Sequence, residues 1–214
     1  MDAQTLSGRI QEDIVFGVYP AGTKLTEERL IERYKASRYV LRAAMNELAS
    51  QGLLVWIKNK GVQVAELTPD AVDDLYQVRE ILETSAARLT RLPADPALVR
   101  QLEDIQDEHE QAIKDRDFRK VFQLNLRLHA RQYEACPNVA LQQAIADHAR
   151  KVHQVRGILY NDMNYFDKVT REHREIISAL KGEDTEAYVA AVKAHLPESS
   201  RAYRQMYEMR HGVS

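Results

Sequence analysis

The sequence predicts a mainly α protein, with three helices and a β-hairpin at the N-terminus followed by an all-α antiparallel helical bundle of six or seven helices. Three observations carry this reading. Apolar residues recur at helical spacing along most of the chain. The stretch from Leu53 to Ala65 breaks that pattern with two β-type runs around Asn59-Lys60-Gly61. From Thr68 onward, proline, glycine and capping residues divide the chain into segments of helix length.

The elements follow in order. Ile10, Ile14 and Val15 lie at helical spacing, and Val18-Tyr19-Pro20-Ala21-Gly22 ends that segment. Thr26 caps a short second helix whose Leu30, Ile31 and Tyr34 face inward, and Lys35-Ala36 leaves room only for an angled helix pair. Ser37 caps the third helix, where Val40, Leu41, Ala44, Met45 and Leu48 form the apolar stripe. Gly52 stops it; Leu53 to Ile57 and Val62 to Ala65 then read as strands joined by a tight turn at Asn59-Lys60-Gly61. Three helices and a hairpin make a winged helix-turn-helix, assigned to residues 1–66. Thr68-Pro69 opens the bundle, residues 67–214, as a cap with proline at the first helical position. Leu92-Pro93-Ala94-Asp95-Pro96, Asp115-Arg116-Asp117, Cys136-Pro137-Asn138 and Lys181-Gly182-Glu183-Asp184 mark later breaks, and Pro197 kinks or restarts the last helix.

Composition bounds the function. The chain has 214 residues, 44% hydrophobic and 29% charged, which is enough for two small domains. No apolar stretch is long enough to span a bilayer, and the N-terminus lacks the pattern of an export signal. Cys136 is the only cysteine, so neither an intrachain disulfide nor a cysteine-rich zinc site can form; a cytoplasmic placement is expected. The net charge of −2 divides unevenly, with nine Lys/Arg against seven Asp/Glu in residues 1–65. From Arg33 to Asn46 there are four basic residues, Arg33, Lys35, Arg38 and Arg42, and no acidic one. Such a patch attracts phosphates, although it also serves as an ordinary solvated face.

In a winged helix the third helix enters the major groove N-terminus first. Arg38 and Arg42, one turn apart, can then reach guanine edges or phosphates, with Ser37 and Tyr39 beside them and Lys58, Lys60 and Gly61 on the wing. The alternative for each arginine is a surface salt bridge. As a like-charge pair four residues apart, the two arginines disfavour an isolated helix and call for a polyanion, double-stranded operator DNA. One small winged helix offers few contacts, so a homodimer on a two-part site is expected.

The bundle carries a second constellation. Asn125 and His129 share a helix face, His173 lies on a later helix beside Ile176 and Ile177, and His195 lies on the last helix beside Val192 and Leu196. Three neutral imidazoles suit zinc, nickel or a similar divalent ion, with a carbonyl oxygen from Asn125. Spacing alone favours hydrogen-bonded core histidines over a metal site. Arg79 sits among Val72, Leu75, Tyr76, Leu82 and Ala86, where a guanidinium needs an anion: either the carboxylate of a small organic-acid effector or Glu83. Arg156, between Val152, Val155 and Leu159, is a candidate of the same kind.

Pro20-Ala21-Gly22-Thr23-Lys24-Leu25, Glu27, Leu30, Ser37-Arg38, Leu41-Arg42, Leu48, Gly52-Leu53-Leu54 and Gly61 resemble the GntR family of winged-helix regulators. Family members usually carry Ser-Arg-Thr-Pro-Val-Arg-Glu-Ala-Leu where this chain has Ser37-Arg38-Tyr39-Val40-Leu41-Arg42-Ala43-Ala44-Met45, and Glu28 stands where many are basic. The remainder resembles the FCD ligand-binding domain of the FadR branch, on Arg79 with Glu83, Asn125-Leu126-Arg127-Leu128-His129, Asn138, Arg171-Glu172-His173, Ile177, Ala179 and His195. The resemblance implies a DNA-binding transcription regulator, in most cases a repressor, controlled by a small effector. It also implies a divalent metal on an aspartate and three histidines, with Asn125 in the aspartate's place. A metal-dependent enzyme acting on a small carboxylate is the rival class, since three histidines with an open position can activate water. Against it, the chain shows no clear general base, and an enzyme has no need of a basic winged helix. A third reading is a helical interaction module without metal.

Overall fold

In the computed structural model, which describes residues 1–58, 61–160, 162–196 and 198–212, local cap chemistry sets most helix starts. Asp2 accepts from the Thr5 amide at 2.8 Å and opens α1 (Ala3–Val15). Thr26 Oγ1 accepts from the Arg29 amide at the start of α2 (Glu27–Tyr34), and Ser37 Oγ from the Val40 amide at the start of α3 (Arg38–Ser50). Between them Lys35 takes a left-handed φ of 52°, which turns the chain within two residues.

The expected hairpin is β2 (Leu54–Ile57) and β3 (Gly61–Val64), antiparallel with Leu54 opposite Val64 and Ile57 opposite Gly61. Each strand starts one residue away from the predicted position. Gly61 has φ +88°, the turn conformation for which a glycine was expected. Lys60 and Asn59 lie outside the described residues. The sheet also has a strand the sequence did not announce, β1 (Lys24–Leu25), pairing with β3 in the order β1-β3-β2. Leu6, Ile10, Leu30, Leu41, Met45 and Leu48 are almost wholly buried beneath it, each contributing about 1.5–3 kcal/mol of transfer free energy.

The second part is helical throughout: α4 (Pro69–Leu89), α5 (Pro96–Lys114), α6 (Phe118–Tyr133), α7 (Val139–Lys151), a one-turn α8 (His153–Arg156) running into a 3-10 turn, α9 (Met163–Lys181), α10 (Thr185–Ala194) and α11 (Glu198–His211). Thr68 with Pro69 and Asp95 with Pro96 cap as the sequence predicts, and Asn138 and Asp184, at the ends of two expected breaks, cap α7 and α10. α5 packs on α6 and α9, α10 closes on α4 and α9, and α11 returns to α4. One expectation is corrected. His195 does not lie on the last helix but at the C-cap of α10, where Leu196 N bonds back to Lys193 O and closes the turn, and α11 follows. The break near Val152, which separates α7 from α8, has no proline or glycine to announce it.

The two parts are packed together. Val15 belongs to the bundle's core cluster, and Phe16 sits edge-on to Phe122 and Tyr160. A Cβ on Gly157 would lie 2.1 Å from the Val15 carbonyl oxygen, so only glycine allows this approach. Arg119 of α6 bonds Glu12 at 2.9 Å and Asp13 at 2.7 Å, and Gln123 donates to Glu12. Asp13 is buried and also accepts from Arg33 and Tyr34 of α2, whose hydrogen bonds, together with Arg119's, hold its carboxyl below the usual range against the opposing effect of burial.

Candidate functional site

Two sites emerge. The first is the exposed face of α3. Arg38 and Arg42 have side chains 64% and 61% exposed, and Tyr39 is 84% exposed. Ser37 uses Oγ as cap acceptor, and its hydroxyl hydrogen remains a separate donor function. The two arginines are not left as a bare like-charge pair: Glu27 at the start of α2 lies between them, 3.4 Å from Arg38 Nε and 2.7 Å from Arg42 Nε. Exposed pairs of this kind are worth about 0–1 kcal/mol, little enough for phosphate oxygens to replace the carboxylate. Lys58 is exposed on the wing. Sequence reasoning passed over Trp56, the chain's only tryptophan, which is half exposed on β2; an apolar residue left outside on a two-faced strand was the available signal.

The second site lies inside the bundle. One ring nitrogen from each of His129, His173 and His195 falls within 4.8 Å of the other two, and the Nε2 atoms of His129 and His195 are 3.1 Å apart. Two nitrogens on one tetrahedral ion at ~2.0–2.1 Å are separated by roughly 3.3 Å, so the His129–His195 pair has the spacing of such a site. The outer contacts agree. His195 Nδ1 meets Glu172 Oε2 at 2.9 Å, His173 Nδ1 meets Gln106 Oε1 at 2.8 Å and His129 Nδ1 meets Gln132 Oε1 at 3.1 Å. In each case an oxygen acceptor can hold the proton on Nδ1, the tautomer in which Nε2 would ligate an ion, as is usual around a protein-bound metal. Gln106 is in turn tied to Glu110, and Gln132 to Tyr188. Sequence reasoning missed these supporting residues. Of them only Glu172, adjacent to His173, carried any signal.

Asn125 is buried one turn before His129 and lines a small cavity with His195, Glu172 and Arg79. The His109 ring lies tilted 5.3 Å from that of His173, and burial pushes its imidazole down to about 4, so it stays neutral there.

Arg79 and Glu83 take the internal option: Arg79 Nε donates to Glu83 Oε1 at 2.8 Å with both side chains buried, and Tyr133 donates to the other Glu83 oxygen. Arg79 also borders a larger cavity of about 450 Å³, together with His129, Tyr133, Gln142, Arg150 and, from the N-terminal module, Gln11. Arg79 is thus both internally paired and part of that cavity's wall. Arg156 belongs to α8, and its side chain lies outside the described residues.

Residues 2–64 match the bacterial regulatory proteins of the gntR family, and residues 74–198 match the FCD domain. The chain is 26% identical over 201 residues to the HTH-type transcriptional regulator YdhC of Bacillus subtilis, covering 94% of this chain and 90% of that one. It is 25% identical to the HTH-type transcriptional repressor RspR of Escherichia coli, covering 92% and 86%. Among solved structures it resembles Escherichia coli McbR/YncC with a TM-score of 0.82 at 18% identity, over 96% of this chain and 98% of that one. A GntR regulator from Rhodococcus sp. RHA1 gives 0.76 at 19% identity, over 96% and 98%. No described helix is long and apolar enough to cross a membrane. With an exposed basic face on a winged helix-turn-helix, a histidine-lined helical bundle and matches to both family domains, the chain belongs to the GntR family of DNA-binding transcription regulators and carries an FCD domain.

Proposed function

We propose that the protein is a homodimeric, cytoplasmic repressor whose operator affinity is controlled by a small organic acid bound beside a divalent metal. Residues 1–66 read the operator, and residues 67–214 bind effector and partner subunit. The observation that carries the metal half is the set of three imidazoles, each held at Nδ1 by an oxygen acceptor and turned toward the others. All three, with Asn125, are neutral donors, so a zinc or nickel ion here keeps its full charge and favours a carboxylate ligand. Arg79, on the wall of the adjoining cavity, is a second cation for the same acid. A bound metal supplies Lewis acidity and positive charge. The protein's part is to orient the imidazoles and shape the cavity. Repression is supported by a relative that bears that description, RspR.

On the DNA side, Arg38, Arg42, Tyr39 and Ser37 contact bases and phosphates, with Lys58, Lys60 and Gly61 following the backbone from the wing. Arg42→Ala is expected to weaken operator binding by ~1–3 kcal/mol while the bundle stays folded. A gel shift on a duplex selected from genomic fragments measures this, and unchanged affinity in the folded variant would exclude Arg42 from the interface. Dimerisation is supported by α4, where Val78, Ile81 and Leu89 are exposed along the helix although its opposite face is buried. Ile81→Glu is expected to yield a monomer by light scattering; a wild-type protein monomeric both free and on DNA would refute the dimer.

A further inference from the structure

The wall of the 450 Å³ cavity is not made by the bundle alone: Gln11, on α1 of the DNA-binding module, borders it beside Arg79 and His129. The side-chain amide of Gln11 donates to Nδ1 of His153, a buried residue at the start of α8 that borders the same cavity. An amide and an imidazole in a ligand cavity are groups that a polar acid can hydrogen-bond. Gln11 also stands at the head of a continuous set of contacts. One and two residues on, Glu12 and Asp13 fasten α1 to Arg119; Asp13 fastens it to Arg33 and Tyr34 of α2; and Glu27 of α2 meets Arg38 and Arg42 on the DNA-facing helix.

We propose that Gln11 is a ligand-contacting residue supplied by the DNA-binding module: a small polar acid in the cavity takes the Gln11 amide from His153 and so acts directly on the helix that positions α2 and α3. This rests on the reading of the cavity as the effector site. The same wall carries Arg150, paired with Asp147, and the amides of Gln142 and Gln143, which donate to Cys136 O and Asp147, so an acid with a further hydroxyl or carboxylate is the class that can compete for these donors. A ligand acts only through a difference in its free energy between two states. Loss of the Gln11–His153 bond must therefore alter operator binding by itself.

The test uses the full chain and needs no ligand for its first arm. Operator affinity without added acid is measured for wild type, Gln11→Ala, His153→Phe and the double variant, with Gln4→Ala, exposed on the same helix, as control. Gln11→Ala and His153→Phe are each expected to shift affinity about fivefold or more in the same direction, with no further shift in the double variant. Melting curves confirm that each is folded. Two single variants within about twofold of wild type, or two shifts that simply add, would overturn the proposal. The second arm adds citrate or malate. An acid that stabilises both proteins should alter operator affinity in wild type and leave Gln11→Ala unmoved, and an equal response in both would also overturn it. If neither acid stabilises wild type while the first arm shows the coupled shifts, the acid-effector reading fails and the Gln11 link stands.

Discussion

Zinc or nickel added to chelated protein is expected to raise its melting temperature, and His173→Ala is expected to lose that rise. A ligand at one hundred times its dissociation constant stabilises the native state by about 2.7 kcal/mol. For a chain of this length that is about 5–11 °C. His173 is the informative position because it is the most deeply buried of the three and its ring is already fixed by Gln106, so the variant removes a ligand from a formed site. Two companion results follow from the donor set. Protons compete with the ion for imidazole nitrogen, so metal affinity must fall as the pH is lowered. Asn125→Asp supplies a negative ligand where the present one is neutral and should tighten binding, which would also place Asn125 at the ion. If the chelated wild type shows no rise, and elemental analysis finds no metal in the purified protein, the histidines are structural.

What could be read in the sequence was what local chemistry decides. Thr26, Ser37, Thr68-Pro69 and Asp95-Pro96 each announce a helix start because the capping bond is made within three residues. The α3 stripe and the hairpin were legible from periodicity. β1 was not, because a two-residue strand has no periodicity of its own and exists only through its pairing with β3, nearly forty residues on. Spacing put Asn125 and His129 on one helix face, yet their convergence with His173 and His195 depends on how α6, α9 and the end of α10 meet, and only the family resemblance brought them together in advance. Gln106 and Gln132 were invisible for the same reason: a glutamine becomes a histidine's anchor only when another helix delivers the imidazole. Gln11 and His153, far apart in the chain, meet only because α1 is docked on the bundle. Arg79 was placed correctly as a buried guanidinium in need of an anion, while its actual partner was left open between Glu83 and a ligand.

That partner gives the largest expected effect on stability. Glu83→Ala should destabilise the protein by ~3–5 kcal/mol, because it leaves a buried guanidinium without its counter-ion and removes the acceptor of the Tyr133 hydroxyl. Burial opposes the charge on Arg79, while Glu83 raises its affinity for the proton; Tyr133 is pushed well above its usual range by burial and then by Glu83. Without that carboxylate the cost of burial is no longer offset. Removing both charges in the double variant Arg79→Met, Glu83→Leu should recover most of the loss, since buried ion pairs are often replaced by apolar residues of similar volume at little net cost. A small acid distinguishes this from generic damage to the core. If Arg79 is open to the cavity as its lining implies, acetate should restore part of the stability of Glu83→Ala by taking the vacated anion position, and should do nothing for the double variant. Urea midpoints for wild type, single and double variants, with and without acetate, measure all of this. A Glu83→Ala protein as stable as wild type would show that the pair carries little, and one equally indifferent to acetate would remove Arg79 from the effector site.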